Sequence, residues 1–231
     1  MEPQVPSLRY PCVLFDLDGT LIDSSTDVVA SVQYALRKVY DREPPDAEAI
    51  LIEVGKPLET LFRNFGYPDD PQMAAEFVEV YRKHFAEHIR DHTKPFPKVK
   101  ETLEVLRELE VKLAVVTTKH QAQAELSLES TGLARFFQFI YGWTEGRKHK
   151  PDPEPVHTTL SALKASPDQA LFVGDSEQDM LAAQGAGVAC CAVTYGYRPA
   201  ILLRRYRPDF MISRIDDLLH IVAKSAPRTE T

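Results

Sequence analysis

Apolar residues fall along this chain in two rhythms. Short unbroken runs occur at 12–17 (CVLFDL), 112–117 (KLAVVT), 137–142 (FQFIYG), 170–175 (ALFVGD) and 188–196 (VACCAVTYG). Each is rich in β-branched or aromatic residues and bounded by turn formers, as expected of strands covered on both faces. Between the later runs, residues 98–109, 119–131, 153–164 and 176–186 carry helical spacing. This alternation predicts an α/β fold, a Rossmann-like parallel sheet with helices on both faces.

The alternation breaks once. Residues 23–92 hold no evident strand, but Met73, Phe77, Tyr81, Phe85 and Ile89 recur every four residues and give one helix an apolar face. Residues 27–40 and 57–65 repeat the pattern, 41–48 (DREPPDAE) reads as a turn, and KPFP at 94–97 marks the return to the sheet. The expected organisation is an α/β core, 1–21 and 93–231, interrupted by an all-helical insert at 22–92. The final residues, SAPRTET, read as a frayed tail.

Composition narrows the class. The 231 residues are 44% hydrophobic and 26% charged, which suits a folded globular chain. A net charge of −7 offers no basic footprint for nucleic acid or an anionic membrane surface. No window approaches a membrane span, and the first residues lack the layout of a signal peptide. Cys12, Cys190 and Cys191 lack C-x-x-C spacing, and the adjacent pair would face opposite sides of a strand. They read as buried free thiols in a reduced, cytoplasmic setting.

Ligands of open parallel sheets bind beyond the carboxyl ends of the strands, so the polar residues there carry weight. The first run ends in Asp16-Leu17-Asp18-Gly19-Thr20, the second in Thr117-Thr118-Lys119, and the fourth in Gly174-Asp175-Ser176 with Asp179 four residues on. Lys150-Pro151-Asp152-Pro153 precedes the helix at 153–164. Each has a plain alternative: an Asp before Gly is a common turn residue, Asp175 could cap a helix, Lys150 could lie at the surface, and Thr117 could satisfy local backbone. Together, at one sheet edge, the carboxylates need compensating charge. A divalent cation and a lysine would supply it, the composition of a Mg²⁺-assisted phosphoryl-transfer site.

Two short motifs carry less. His84-Phe85-Ala86-Glu87-His88 matches H-x-x-E-H, and His92 extends the histidine series, but the apolar face of that helix already explains the periodicity, and a solvated polar face is the better reading. Gly185-Ala186-Gly187 starts like a dinucleotide fingerprint but has Cys190 where the third glycine belongs, and it lies between a helix and a strand in the wrong order.

FDLDGTLIDS, the VVTTK strand end, KPDPEP and VGDSEQDMLAA resemble, in order and spacing, the four motifs of the haloacid dehalogenase superfamily phosphatases. The resemblance spans essentially the whole chain, and the insert is similar to the family's small helical cap. It implies that Asp16 is the nucleophile forming an aspartyl-phosphate, and that Asp18 protonates the leaving oxygen and then deprotonates water. It implies that Thr117 and Lys150 hold the phosphoryl oxygens, with help from the amides after Asp16 and of Thr118. Mg²⁺ would take Asp16, the carbonyl of Asp18 and Asp175, with Asp179 in its outer shell. The family's dehalogenases and phosphonatases lack an aspartate at position 18, which leaves phosphate esters and anhydrides.

Residues 53–59, EVGKPLE, resemble the cap segment of phosphoglycolate-phosphatase-like members. Gly55 would let backbone approach the ligand and Lys56 would meet an anionic tail; a helix-to-helix turn with a solvated lysine is the plain alternative. The expected partner is a small phosphorylated metabolite, nominally phosphoglycolate. Inorganic pyrophosphate is the first alternative, because the subfamily's pyrophosphatases share KPDPEP and the VGDS stretch. A β-phosphoglucomutase-like mutase and a non-catalytic phosphate-binding module complete the set.

Overall fold

The computed structural model describes residues 8–56, 58–68 and 70–223. The first strand, β1 (Cys12–Phe15), is buried along its whole length. The pleat sends Val13 and Phe15 into one hydrophobic cluster and Cys12 and Leu14 into another. Both faces must therefore be apolar, which is why this strand reads as an unbroken run.

A short β2 (Ile22–Asp23) leads into the helices α1 (Ser25–Tyr40), α2 (Ala47–Glu53), α3 (Leu58–Asn64) and α4 (Pro71–His88). The chain returns through β3 (Lys94–Pro95) and continues as α5 (Val99–Glu108), β4 (Lys112–His120), α6 (Gln121–Ser130), β5 (Phe139–Trp143), α7 (Glu154–Leu163), β6 (Ala170–Gly174) and α8 (Glu177–Gly185). It finishes with β7 (Ala189–Val193), α9 (Ala200–Leu203), β8 (Phe210–Ile212) and α10 (Leu218–Val222). The main sheet is six-stranded and parallel, in the order β5-β4-β1-β6-β7-β8. The chain moves outward from β1 through β4 to β5, then crosses back to β6 on the other side of β1. The crevice beyond β1 and β6 is the switch point where such sheets bind ligands.

Several boundaries differ from the sequence reading. The sheet gains β8, whose three residues are too few for a periodic signal. Asp23, expected in a strandless stretch, pairs with Lys94, and Ile22 with Pro95, in an antiparallel ribbon outside the main sheet. β4 runs on to His120, where helix was expected from 119, because His120 pairs with Trp143 past a register shift. The strands expected at 137–142 and 188–196 shorten to β5 and β7, and α2 begins inside the expected turn at 41–48. The tail at 225–231 lies outside the described residues.

The helices α1–α4 bury their own cluster, in which Val32 and Leu36 of α1 meet Phe77 and Phe85 of α4, joined by Ile50 and Phe62. Met73 is only partly buried against it. Asp70 accepts hydrogen bonds from the Gln72 and Met73 amides at the start of α4, and Pro71 follows where its missing N–H costs nothing. The histidines of this region serve separate partners: His84 Nδ1 lies 3.0 Å from Ser31 Oγ, His88 Nδ1 2.8 Å from Asp91, and His92 Nδ1 2.9 Å from Asp27. All three cysteines are buried and unpaired, and burial pushes the Cys12 thiol up to about 11 and that of Cys191 to about 12. No described helix is long and apolar enough to cross a membrane.

Candidate active site

Asp16 follows β1 directly, and its amide donates to the Val173 carbonyl of β6 (2.9 Å). The sheet register thus continues for one residue and brings the carboxylate beside the end of β6. Leu17 turns into the core, and Gly19 takes a left-handed turn (φ +84°) under Asp175. A Cβ on Gly19 would overlap the Asp175 carboxylate, and one on Gly196 would overlap both Asp175 and the Gly19 carbonyl. This close backbone approach leaves Asp175 one position.

Asp175 lies at the strand end rather than on α8. Ser176 caps that helix, and Asp179 reaches back to accept from the Ser176 amide (2.9 Å) and hydroxyl (2.7 Å). Asp16, Asp175 and Asp179 each offer an oxygen within 4.8 Å of the others, all buried. Lys150 is 2% exposed, and its Nζ donates to Asp16 Oδ1 (2.7 Å) and Asp179 Oδ1 (2.5 Å).

The electrostatics follow from burial. Loss of solvent pushes the Asp16 carboxyl up to about 7, against the pull of Lys150. Burial and the neighbouring carboxylates raise Asp175 well above the usual range. Burial works to lower the Lys150 ammonium, but Asp16 and Asp179 more than offset it and raise it above its ordinary value. With all three carboxylates ionised, one lysine leaves an excess of two negative charges, which a divalent cation would balance. Compact oxygen donors of this kind suit Mg²⁺.

Asp18 points elsewhere. Lys119 Nζ donates to both of its oxygens at 3.0 Å, and the Ser24 hydroxyl donates to Oδ1. The Ser24 amide in turn donates to the Tyr197 hydroxyl (2.9 Å), while the Tyr197 amide donates to Asp175 Oδ2 (2.7 Å). Tyr197 therefore ties the acidic cluster to Asp18 through Ser24. Asp18, Thr118 and Lys119 line a cleft closed on the other side by Val28, Val54, Gly55, Lys56 and Tyr81 of the insert. Thr117 is buried within β4, just past Val116 where the register shifts, and its hydroxyl accepts from the Lys119 amide (3.1 Å).

Gly55 has φ +95°, and a Cβ there would make only ordinary contact with Ser176, so the turn needs glycine for its backbone angle. Lys56 lies on the cleft but is already paired with Glu53 (2.9 Å). Sequence reasoning assigned no role to Lys119, Ser24, Tyr197 or Arg198. Lys119 and Ser24 had a local signal, the one beside Thr117 and Thr118 at a strand end, the other closing the FDLDGTLIDS stretch.

The model of the haloacid dehalogenase-like hydrolase family matches residues 13–193. The chain belongs to the haloacid dehalogenase-like hydrolases. It is an enzyme of the phosphatase type within them, carrying the motifs described above. It is 35% identical over 214 residues to a protein from Halalkalibacterium halodurans named pyrophosphatase PpaX, covering 93% of this chain and 97% of that one. The Bacillus pumilus protein of the same name is 36% identical over 210 residues, with 91% and 95% covered. Among solved structures, one titled a predicted phosphoglycolate phosphatase, from Haemophilus somnus, superposes with a TM-score of 0.85 at 28% identity, covering 92% of this chain and 98% of that one. A haloacid dehalogenase-like hydrolase from Streptococcus pneumoniae gives 0.82 at 29% identity, covering 92% and 98%.

Proposed function

We propose that this protein is a Mg²⁺-dependent phosphatase that hydrolyses a small phosphorylated metabolite through an aspartyl-phosphate on Asp16, with phosphoglycolate as the nominal substrate. The observation that carries this reading is the buried meeting of Asp16, Asp175 and Asp179 with Lys150 bonded to Asp16. Asp16 attacks phosphorus, and the leaving oxygen takes a proton from Asp18. Asp18 then takes a proton from the water that cleaves the aspartyl-phosphate and restores the Asp16 carboxylate. Lys119 and Ser24 hold Asp18 at the cleft where leaving group and water arrive. Lys150, Thr117 and Thr118 meet the phosphoryl oxygens, Lys150 aligned by Asp179. Asp16, the Asp18 carbonyl and Asp175 would hold Mg²⁺, which when bound offsets the excess negative charge and polarises the phosphoryl group.

Residues 22–92 act in this reading as a cap over a core formed by 1–21 and 93–231, supported by the separate cluster they bury. Gly55 and Lys56 place the cap's turn on the cleft. A cytoplasmic setting suits the three unpaired, buried thiols. Inorganic pyrophosphate is the second reading, favoured by the name its relatives carry.

The test is phosphate release from phosphoglycolate, pyrophosphate, p-nitrophenyl phosphate and a hexose 1-phosphate, with Mg²⁺, with Ca²⁺ and with EDTA. Mg²⁺-dependent release, inhibited by Ca²⁺, is expected. Full turnover in EDTA sinks the metal assignment. A sugar phosphate isomerised without release makes the enzyme a mutase, and no turnover of any compound makes it a binding module.

A further inference from the structure

Arg198 lies in the loop after β7 and is 4% exposed. Its guanidinium spans core and insert. Nε donates to Glu177 Oε2 at the start of α8 (3.0 Å), Nη1 to the Leu51 carbonyl (3.0 Å) and Nη2 to the Val54 carbonyl (2.7 Å). Those carbonyls belong to the last turn and cap of α2, where a cation is favoured; the Leu51 carbonyl also accepts from the Val54 amide (3.2 Å). The next residues, Gly55 and Lys56, line the cleft, and Gly55 faces Ser176. A buried guanidinium is costly unless its donors are paired, and its rigid fork fits two carbonyls and a carboxylate as an ammonium cannot.

We infer that Arg198 is a positioning residue: it seats the turn at 54–56 of the insert against the core, and so governs recognition of whatever lies beyond the transferred phosphoryl group. The inference rests on the reading above, in which this turn meets the substrate. The hydrogen bonds of Arg198 go to Glu177, Leu51 and Val54, none of them among Asp16, Asp18 and Lys150. Its charge also pulls the Asp175 carboxyl downward, against burial, and its hold on substrate recognition runs through the turn. The neighbouring Tyr197 amide bonds to Asp175, so the same short loop holds the acidic cluster on one side and the insert on the other.

The molecule carries its own reporter. Trp143, its one tryptophan, lines the same cleft, with the Arg82 guanidinium of α4 5.8 Å from its ring centroid. Displacing the insert will expose this ring, so acrylamide quenching of Trp143 reads docking without any catalysis. For Arg198→Met, with unchanged circular dichroism, quenching should rise about twofold. In the same variant kcat/KM for phosphoglycolate or pyrophosphate should fall about tenfold or more, while p-nitrophenyl phosphate, which lacks an anionic tail, should change less than about threefold. Arg198→Lys should recover only part of the loss. Glu177→Gln keeps an acceptor for Nε and both carbonyl bonds, and should stay near the parent. Adding Lys56→Ala to Arg198→Met should cost little more than either change alone.

Quenching that stays at the parent level in Arg198→Met overturns the inference, as do equal losses on tailed and untailed substrates. If the parent releases phosphate from nothing, the proposed function falls, and the quenching comparison still decides whether Arg198 docks the insert.

Discussion

Asp16, just past β1, is buried against Lys150 and two further carboxylates, whereas Asp18, two residues on, faces the cleft beneath the insert with Lys119 on both its oxygens. The difference lies in who supplies the partners. Those of Asp16 come from the end of β6, the α8 cap and the loop before α7, where sheet register and a backbone approach that leaves no room for a Cβ fix Asp175 beside it. Around Asp18, the lysine comes from the core, the serine from the start of the insert, and the far wall from insert side chains. The first region is built as one block and holds the proposed nucleophile. The second is assembled by docking, and there substrate choice can change without disturbing the first.

The sharpest way to break this comparison is Asp16→Asn, which keeps the shape and removes the proposed nucleophile. Turnover should fall by about four orders of magnitude or more on every substrate. A near-normal rate, measured as steady-state phosphate release, would mean that water attacks phosphorus directly. Gly196→Ala attacks the block through packing, since the new Cβ overlaps Asp175 and the Gly19 carbonyl. Activity should drop about a hundredfold, and overpacking should lower Tm by roughly 2–10 °C in a scanning melt. Unchanged activity and Tm would show that the loop yields freely.

On the cleft side, Lys56→Ala should cost about tenfold in kcat/KM on phosphoglycolate or pyrophosphate and leave p-nitrophenyl phosphate nearly untouched. The loss should stay modest because Lys56 already shares its charge with Glu53. Equal losses would assign it to folding or closure.

The smallest effect is thermal. With metal chelated, burial keeps Asp16 and Asp175 protonated to higher pH than in the unfolded chain, where aspartate titrates near 3.9. The folded state then binds more protons, so these groups contribute less stability as pH rises from about 4 to about 7. Mg²⁺ competes with those protons, and its gain in Tm should be larger at pH 8 than at pH 5 by roughly 2–4 °C. Identical gains would place the ion away from these carboxylates.

What could be read from the sequence follows the same division. Asp16, Asp18, Thr117, Lys150, Asp175 and Asp179 stand at the ends of apolar runs or beside turn formers, so local pattern was enough to single them out. The resemblance to a family added their roles. The ladder of β1, β4 and β6 follows from runs apolar on both faces. By contrast β2, β3 and β8 hold two or three residues each, below the length at which alternation can be recognised. Lys119 lies 101 residues from Asp18, Tyr197 173 from Ser24, and Arg198 147 from Leu51. Such bonds join residues far apart in the chain, and no spacing along it records them. The spacing of Asp179 four residues past Asp175 does not by itself set its place, which follows from the reciprocal cap with Ser176.

The ribbon of Ile22–Asp23 with Lys94–Pro95 has a consequence for how this chain can be rebuilt. Ile22 stands opposite Pro95 and Asp23 opposite Lys94, so the polypeptide leaves and re-enters the sheet through a single doorway. A hairpin turn of two to five residues is all that geometry asks to join such paired ends. The stretch from 25 to 93 thus hangs on one pair of strands, and a shorter loop or a helical bundle of different lining spliced there should leave Ser24 on Asp18 and Asp16 beside β6.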